Sequence, residues 1–452
     1  MTLPEAFGFG DAPELAAIVG GGGKTSLMFA LARALGPGVV TSTTTRIFQA
    51  QIRQSPAVTY ADDLSSLEGQ LQQYGMTLVV GRVEGEKAFG LSPEEVGSLW
   101  QRPSVHHVLV EADGSRMRPV KAPADHEPVI PPESTLVIPV VGIDALARPI
   151  SDTAHRPARV GALTGLPPDV RLTPDAIAQL LTHPSGGLKN VPDTARVIPL
   201  INKVETEAEL AAARQIAWQV LRQSHGRIQR VVIGAVQKEP PVREVVTPVT
   251  AVILAAGEGR RMSLHGGQPK QLLPWGQRTV LGETLHQVSH SLAHEIIVIT
   301  GHEAEAVSAE ADRFNGWPKP RLIHNPDYWA GEMLSSLQQA VRELDEGVTA
   351  VLVILADQPM VDSGIYNQLL AAFWQGKGEL IAPSFNGRRG NPVLIGHRYF
   401  VELLQLPAGA APRALLQAHP EALVLLPIET DSVICDLDTP EEYERLRPKE
   451  SN

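Results

Sequence analysis

Residues 251–262 read AVILAAGEGRRM, which is a short apolar strand followed by a glycine-containing loop and two arginines. A dinucleotide-binding turn requires a third glycine in the pattern G-x-G-x-x-G, but here cations follow Gly257 and Gly259. Arginines at the end of a strand suit a triphosphate, because a guanidinium binds phosphate oxygens in pairs and keeps its charge. Lys270 adds a further cation. The pattern L-A-A-G-x-G-x-R-M…P-K-x-L therefore predicts a loop that binds the phosphates of a nucleoside triphosphate.

Carboxylates follow later strands of the same half. The run AVLVILADQPMV, residues 350–361, ends a strand at Asp357, the place where open α/β sheets bind ligands. The run VICDLDTPEEYERL, residues 433–446, offers Asp436 and Asp438 just before a helix. We expect Asp357, with one of these two aspartates, to hold Mg²⁺ through carboxylate oxygens. The alternative is that Asp438 or Thr439 caps the final helix, with Pro440 in its first turn.

A second glycine loop, IVGGGGKTSLMF, occupies residues 18–29. Four glycines let the backbone approach an anion, and a helix starting near Lys24 would direct its N–H groups at that anion. Strict Walker A spacing requires a glycine where this chain has Ile18, so the loop is a variant. The alternative is a glycine turn before a packing helix. The predicted nucleotide contacts in this loop are Gly20, Gly21, Gly22, Gly23, Lys24 and Thr25.

Polar residues at the ends of later strands extend this first site. HVLVEADGS ends in Glu111 and Asp113, where a carboxylate that holds magnesium or orients water belongs. PLINKVE supplies Asn202 and Lys203, similar to the base-reading N-K-x-D element of GTPases, with Glu205 in the aspartate position. We therefore count Glu111, Asp113, Asn202 and Lys203 in the N-terminal nucleotide site.

The bulk composition limits the class of protein. A chain of 452 residues with 43% hydrophobic and 20% charged residues predicts a globular protein of two or three domains. The formal charge of −11 disfavours a nonspecific nucleic-acid binder. Cys435 is the sole cysteine, which excludes an intrachain disulfide and a cysteine zinc cluster. Without a recognisable leader or an apolar run near 18 residues, we expect a cytoplasmic protein that makes no membrane contact.

Both halves alternate apolar runs with helical stretches, which is typical of parallel sheets packed between helices. Prolines and mixed charges interrupt the pattern at residues 237–248. We therefore predict an α/β protein with two domains, residues 1–236 and 249–452, joined by a linker at 237–248. The first is expected to be a P-loop-like parallel sheet domain and the second a Rossmann-like nucleotidyltransferase domain.

Four motifs of the first half, VGGGGKTS, STTTR, VEADGSRMRPVKAPADHEPVIP and INKVE, resemble the YqeC-like family of selenium-dependent hydroxylase accessory proteins. The resemblance covers most of residues 10–236. It implies a P-loop-type fold, an NTP as ligand, and a role in maturing molybdenum hydroxylases, with the hydroxylase apoenzyme as client. Lys121, His126 and Glu127 lie in the most specific string. They are expected either to contact a substrate or to order their loop.

Motifs of the second half resemble the molybdenum cofactor cytidylyltransferase (MocA-like) family within the MobA-like NTP transferases. They are LAAGEGRRM, PKQLLPWG, NPDYWAGEMLSSL, LADQPMV, GRRGNPVLIG and CDLDTPEEYERL. The resemblance spans about residues 249–446 and implies transfer of CMP from CTP to molybdopterin with release of pyrophosphate. Guanylyl members usually carry L-A-G-G where this chain has residues 254–257, LAAG. The methyl group of Ala256 is expected to exclude the larger purine, so CTP is the predicted substrate.

The resemblance also assigns roles to residues. The attacking phosphate is already an anion, so catalysis is expected to rest on positioning and charge neutralisation by Arg261, Lys270 and Asp357. The predicted nucleotide contacts are Leu254, Ala255, Ala256, Gly257, Gly259, Arg260, Arg261, Lys270, Gly331 and Ser335, and the predicted pterin-side residues are Arg388, Arg389, Gly390 and Asn391.

Two other functional classes stay open for the chain. A sugar-phosphate or polyol-phosphate nucleotidylyltransferase shares the G-x-G-x-R-M…P-K loop. A cofactor-carrying chaperone would bind nucleotide and pass the cofactor to a hydroxylase with little turnover. Release of pyrophosphate from CTP in the presence of molybdopterin separates cytidylyl transfer to molybdopterin from both.

Overall fold

The computed structural model describes residues 1–48, 52–84, 87–257 and 269–448. It divides into two compact units, Met1–Val246 and Thr247–Asn452. Each unit is an α/β structure built on its own sheet. Among the described residues, no helix is long and apolar enough to cross a membrane.

The strands of the first unit are β1 (Glu14–Gly20), β2 (Val39–Thr43), β3 (Arg46–Phe48), β4 (Val58–Tyr60), β5 (Met76–Val80), β6 (Val83–Glu84), β7 (Lys87–Phe89), β8 (His107–Glu111), β9 (Val120–Lys121), β10 (Leu136–Gly142), β11 (Ala154–His155), β12 (Arg196–Val197), β13 (Leu200–Asn202), β14 (Val231–Gly234) and β15 (Val242–Val246). Its helices are α1 (Leu3–Ala6), α2 (Lys24–Leu35), α3 (Leu67–Tyr74), α4 (Pro93–Trp100), α5 (Ile150–Thr153), α6 (Pro157–Thr164), α7 (Pro174–Thr182) and α8 (Glu207–Gln223).

The main sheet of the first unit has the order β15-β14-β13-β10-β1-β8-β2-β5-β4, with β12 beside β10. Its pairings are parallel except for that of β14 with β15. β1 is central and buried on both faces, as its apolar run predicts. Ala16 and Ile18 pack into one hydrophobic cluster, while Leu15, Ala17 and Val19 pack into the other. The register pairs Ile18 with Glu111, so the ends of β1 and β8 meet at one edge of the sheet.

The strands of the second unit are β16 (Val249–Leu254), β17 (Pro274–Trp275), β18 (Arg278–Thr279), β19 (Glu295–Thr300), β20 (Arg321–His324), β21 (Ala350–Leu355), β22 (Leu380–Phe385), β23 (Arg388–Arg389), β24 (Val393–Gly396) and β25 (Leu423–Pro427). Its helices are α9 (Val280–Ser289), α10 (Ala304–Asp312), α11 (Tyr328–Arg342), α12 (Ser363–Trp374), α13 (Phe400–Gln405), α14 (Arg413–Ala418) and α15 (Pro440–Leu446).

The main sheet of the second unit has the order β20-β19-β16-β21-β24-β22-β23, with β25 beside β22. β16 pairs in parallel with β19 and β21, and its last residue, Leu254, lies opposite Leu355. β24 runs antiparallel to β21 and to β22. The ends of β16, β21 and β22 therefore lie at the same edge, and the loops that follow them can form one site.

The stretch predicted as a linker, residues 237–248, differs from the expectation. Val242–Val246 forms β15 and pairs antiparallel with β14 at the edge of the first sheet. Val242 and Val245 are buried in a core cluster, and the buried Glu244 accepts a hydrogen bond from Arg214 Nε at 2.7 Å. Cross-strand pairing and burial order residues that composition alone assigned to a linker. Only Thr247 and Pro248 separate β15 from β16.

Candidate nucleotide sites

A pocket of about 450 Å³ lies at the ends of β16 and β21 in the second unit. Its volume falls in the usual range for small-molecule sites. The Ala255 N–H donates to Ile299 O at 3.0 Å, and the Ala255 carbonyl accepts from Gln271 Nε2 at 2.9 Å, so the strand-end loop is fixed on both sides. The lining residues are Leu254, Ala255, Ala256, Gly257, Lys270, Gln271, Tyr328, Trp329, Met333, Ser336, Leu355, Ala356 and Asp357.

Lys270 lies between two carboxylates at this pocket. Its Nζ donates to Asp357 Oδ2 and, at 3.1 Å, to Asp438 Oδ1. Burial alone lowers the pKa of this ammonium, but the nearby charges of Asp357 and Asp438 outweigh it, and the pKa of Lys270 is raised. Lys270 is therefore a permanent cation beside the pocket, able to bind a phosphate oxygen.

Two of the three predicted metal ligands, Asp357 and Asp438, contact this lysine. Asp436 Oδ1 accepts from Gln358 Nε2 at 2.6 Å, and burial, followed by the charges of Asp357 and Asp438, raises the pKa of Asp436. Asp438 does not cap the last helix, because Thr439 Oγ1 accepts the Glu442 N–H at 3.2 Å. Across the described ranges, no three or more His, Cys, Asp or Glu side chains are arranged to hold a metal ion. Asp357 and Asp438 both contact the ammonium group of Lys270. Their carboxylate oxygens are hard ligands of the kind that Mg²⁺ prefers.

Helix α11 supplies another part of the pocket wall. Trp329, Met333 and Ser336 line it at the i, i+4, i+7 spacing of one helix face. The predicted Ser335 is absent from this lining, and its hydroxyl instead accepts from Asn325 Nδ2 at 2.9 Å. The predicted Gly331 lies within the helix. Helical spacing applied to the NPDYWAGEMLSSL motif identifies these wall residues, which loop motifs alone do not.

Ala256 is almost fully buried and belongs to a hydrophobic cluster, although it also lines the pocket. A β-carbon on Gly301 would lie 2.8 Å from Ala256 Cβ and 2.6 Å from Tyr328 Cβ. Gly301 therefore leaves room for both side chains. The Ala256 methyl group packs against its neighbours as well as lining the pocket.

Other predicted residues of this unit lie elsewhere. Gly259, Arg260 and Arg261 fall outside the described residues. Arg388 and Arg389 form the exposed strand β23, and neither is among the described residues that line the pocket.

Gly390 and Asn391 have structural contacts in this hairpin. A β-carbon at Gly390 would lie 2.2 Å from Val433 O, and the Asn391 N–H donates to that same oxygen at 2.8 Å. The glycine thus allows residues 431–434 to pack closely against the hairpin. β23 follows β22 in the chain, so the hairpin starts at the carboxyl end of β22. The pocket lies at the carboxyl ends of β16 and β21, on the same side of the sheet.

The glycine loop of the first unit is held tightly by its own chain. The Gly20 N–H donates to both Asp113 carboxylate oxygens at 3.1 Å, the Gly21 N–H to Val140 O at 2.9 Å and the Gly22 N–H to Arg118 O at 3.0 Å. Gly20 has φ +95°, and a β-carbon there would lie 2.4 Å from Val140 O. Three successive N–H groups of the expected phosphate cradle therefore have acceptors within the protein.

Lys24 is buried at the start of α2. Its Nζ donates to Gly20 O at 2.7 Å and lies 3.3 Å from Asp113 Oδ1 and 3.4 Å from Glu111 Oε1. Burial works to lower the pKa of Lys24, but the two carboxylates outweigh it and the pKa is raised. Thr25 Oγ1 donates to Glu111 Oε2 at 2.7 Å. The structure thus brings together four predicted residues, Lys24, Thr25, Glu111 and Asp113. The two carboxylates balance the positive charge of Lys24.

Lys121 continues this charged cluster. Its Nζ lies 3.0 Å from Asp113 Oδ2 and donates to Glu127 Oε2 at 2.8 Å, and Arg156 Nη1 donates to the same Glu127 oxygen at 2.7 Å. Burial works to raise the pKa of Glu127, but these hydrogen bonds and that from the Ala124 N–H lower it to about 2. Lys121 and Glu127 therefore order their loop, while His126 is exposed.

Asn202 holds the glycine loop from the other side. Its Nδ2 donates to Gly22 O at 2.8 Å, and its Oδ1 accepts from the Val236 N–H at 3.1 Å. Lys203 pairs with Asp144 Oδ2 at 2.8 Å. In this structure, both residues predicted to read a base instead make contacts within the protein.

Comparison with known proteins matches each half to a family. Residues 16–158 match the YqeC protein family, and residues 251–423 match the MobA-like NTP transferase domain. Over 235 residues the chain is 35% identical to the uncharacterized protein YqeC of Escherichia coli K12, covering 51% of this chain and 90% of that protein.

Two relatives match the second half. The molybdenum cofactor cytidylyltransferase of E. coli K12 is 28% identical over 200 residues, which are 44% of this chain and 95% of that protein. The nicotine blue oxidoreductase of Paenarthrobacter nicotinovorans is 30% identical over 205 residues, which are 44% of this chain and 96% of that protein.

Proposed function

Because the chain belongs to the YqeC family through its first half and carries a MobA-like NTP transferase domain in its second, we propose that it is a nucleotidyltransferase. The specific reaction that we propose is transfer of CMP from CTP to the molybdenum cofactor, with release of pyrophosphate. One observation carries the proposal. The Lys270 ammonium contacts Asp357 and Asp438 at the pocket where β16 and β21 end.

The chemistry needs charge neutralisation rather than a nucleophile supplied by the protein. The terminal phosphate of molybdopterin is already an anion, and it attacks the α-phosphorus of CTP in line with the departing pyrophosphate. Lys270 is placed to bind triphosphate oxygens, and we propose that Arg260 and Arg261 complete this binding. Mg²⁺, held by Asp357 with Asp436 or Asp438, would neutralise phosphate charge when bound. The remaining residues position the reacting groups.

The pocket walls suggest where the rest of each substrate binds. The strand-end loop, residues 254–257, and the pocket face of α11 line the same pocket as Lys270 and Asp357, and its volume has room for a nucleoside. We propose that this space takes the cytidine, with Ser336 on its wall. The Arg388–Arg389 hairpin starts at the same sheet edge and presents exposed cations, so we propose that it faces the anionic pterin substrate.

We propose that the first unit binds an NTP at its glycine loop and supports maturation of a molybdenum hydroxylase, including selenium-dependent enzymes. The positions of Lys24, Thr25, Glu111 and Asp113 support this proposal. Phosphate binding there requires Lys24 to exchange a carboxylate partner for the ligand. The hydroxylase client and the cytoplasmic location stay predictions.

A second candidate, an oxidoreductase, is favoured by the relative that is 30% identical over almost its full length. Two parallel assays separate the nucleotidyltransferase from the oxidoreductase. The full-length chain is incubated with molybdenum cofactor, Mg²⁺ and each of the four NTPs, and pyrophosphate is measured. In parallel, consumption of NADH and NADPH is followed with the same acceptor.

We expect pyrophosphate with CTP, and a loss of about 10²–10³-fold in kcat for Lys270→Met, the usual cost of removing one preorganised charge-stabilising group. Asp357→Asn should cause a loss of similar size because it removes a metal ligand. Lys377→Met is the matched control, since Lys377 is an exposed lysine of the same unit that does not line the pocket. Reduced-nicotinamide oxidation without pyrophosphate would favour the oxidoreductase and overturn the proposal.

A further inference from the structure

Two large apolar side chains at the second-unit pocket are exposed to water. Trp329 is 70% exposed and Met333 is 41% exposed, and both line the pocket that Lys270 and Asp357 also line. Large apolar side chains are usually buried, and tryptophan is the side chain with the largest apolar area. Their exposure at a pocket indicates a surface that a ligand covers.

The start of α11 is fixed, so this surface has a defined place. Asn325 is buried, its Nδ2 donates to Ser335 Oγ and Ser336 Oγ at 2.9 and 3.0 Å, and its Oδ1 accepts from the Asp327 N–H at 3.0 Å. Tyr328 packs against Gly301 in the hydrophobic cluster. The next residue, Trp329, is turned about 100° around the helix from Tyr328, and both residues line the pocket. Asn325 and Tyr328 thus hold the helix while Trp329 stays uncovered.

We propose that Trp329, with Met333 one turn later, is the platform on which the planar heteroaromatic ring of a substrate stacks, in the first place the base of the nucleotide. The inference deepens the proposed function and rests on it. The pocket lining combines two parts, the charged side chains of Lys270 and Asp357, which suit a phosphate and its metal ion, and the apolar side chains of the platform. A nucleotide has the same two parts.

The chemistry of the platform suits any base. An aromatic side chain stacks on a base through its face, and a methionine sulfur is polarisable and adapts to a ring edge. Trp329 is therefore expected to contribute to affinity for nucleotides in general. Discrimination between bases is left to groups that contact the base edge.

The test uses tryptophan fluorescence of the full-length chain, because a stacked base quenches the indole. CTP is titrated without acceptor into the wild type, Trp329→Ala and Trp329→Phe. Inorganic triphosphate, which has no ring, is the ligand control. Trp317→Phe is the matched variant, since Trp317 is 64% exposed in the same unit and does not line the pocket.

CTP should quench the wild type and Trp317→Phe alike, whereas inorganic triphosphate should quench neither. Trp329→Ala should raise the Kd for CTP about tenfold, within the usual range for loss of one base–aromatic stack. For Trp329→Ala and Trp329→Phe, whose fluorescence CTP should quench little, the Kd for CTP is measured by calorimetry. Trp329→Phe should lose most of the quench but keep the Kd within about threefold, because phenylalanine retains a stacking face.

A second titration, with molybdopterin as the ligand, identifies the source of the ring. If Trp329→Ala weakens molybdopterin and leaves CTP unchanged, the platform stands and its ring is that of the acceptor. If Trp329→Ala binds both ligands as the wild type does, the proposal is overturned. The proposed function fails separately: a wild type that binds CTP with quenching but releases no pyrophosphate refutes nucleotidyl transfer and leaves the platform intact.

Discussion

Replacement of Glu127 by glutamine should destabilise the first unit at neutral pH and weaken its response to acid. The carboxylate of Glu127 accepts from Lys121, Arg156 and the Ala124 N–H, and these contacts overcome burial to bring its pKa from 4.5 to about 2. One pKa unit corresponds to about 1.4 kcal/mol, so the ionised group contributes up to about 3 kcal/mol to the free energy of unfolding. Glutamine keeps the shape but not the charge.

The direction in which stability changes with pH follows from the lowered pKa of Glu127. A carboxyl group whose folded pKa lies below its unfolded value stabilises the protein above the unfolded value, here about pH 4.5. That contribution is lost as the pH falls from about 4.5 through about 2. Between pH 5 and pH 3 the wild type should lose roughly 2 kcal/mol through this group, a loss that Glu127→Gln cannot show. The other titratable groups near Glu127 include Lys121, Arg156, Arg159 and His155, and these are kept in both proteins.

The assay is urea unfolding of the full-length chain at several pH values. Unfolding is monitored through hydrogen–deuterium exchange of peptides from residues 107–142. This readout reports on the first unit alone. Asp125→Asn is the matched control, because Asp125 pairs with Arg159 from an exposed position two residues away. The control should unfold as the wild type does throughout. Equal stability of Glu127→Gln and the wild type at pH 7, or parallel pH profiles, would refute the ion-pair account of this loop.

The other predictions concern the two sites and the boundary. Lys24→Ala should weaken NTP binding by the first unit and leave pyrophosphate production intact. An unchanged affinity for NTP in equilibrium dialysis would mean that the glycine loop is only a structural turn. Ala256→Gly should shift the CTP:GTP ratio of kcat/KM toward GTP by about ten- to thirtyfold, the effect of one pocket methyl group; an unmoved ratio would mean that the packed methyl group does not discriminate between bases. A fragment from Thr247 onward should unfold cooperatively and keep cytidylyl transfer, and a non-cooperative urea transition would place the boundary elsewhere.

The parts of the fold that follow from local pattern were predictable. The run before Gly20 and the run before Gly257 are apolar on both faces, and each forms an inner strand of its sheet. Position at the end of a strand also brought Lys24, Glu111 and Asp113 together, because parallel neighbours end at a common edge. Periodicity and strand ends are therefore sufficient to predict which of these side chains the fold brings together.

The parts that depend on long-range contacts were not predictable from local pattern. Val242–Val246 follows two prolines, and its strand is specified by pairing with β14 rather than by its own composition. Asn202 was expected to read a base, but its amide fits the carbonyl of Gly22, which only the folded loop brings near. Ser336 lies on the pocket wall where Ser335 was expected, because the exact turn of α11 decides which serine faces inward.

The fate of the α-phosphate of CTP tests the central claim most directly. The full-length chain is incubated with molybdenum cofactor, Mg²⁺ and CTP labelled at the α-phosphorus, and in a parallel reaction with CTP labelled at the γ-phosphorus. We expect the α label to appear in a pterin–CMP product and the γ label in pyrophosphate, and Lys270→Met to suppress both. Recovery of the α label only as CTP, CDP or free CMP, with none joined to the pterin, would contradict nucleotidyl transfer to the molybdenum cofactor.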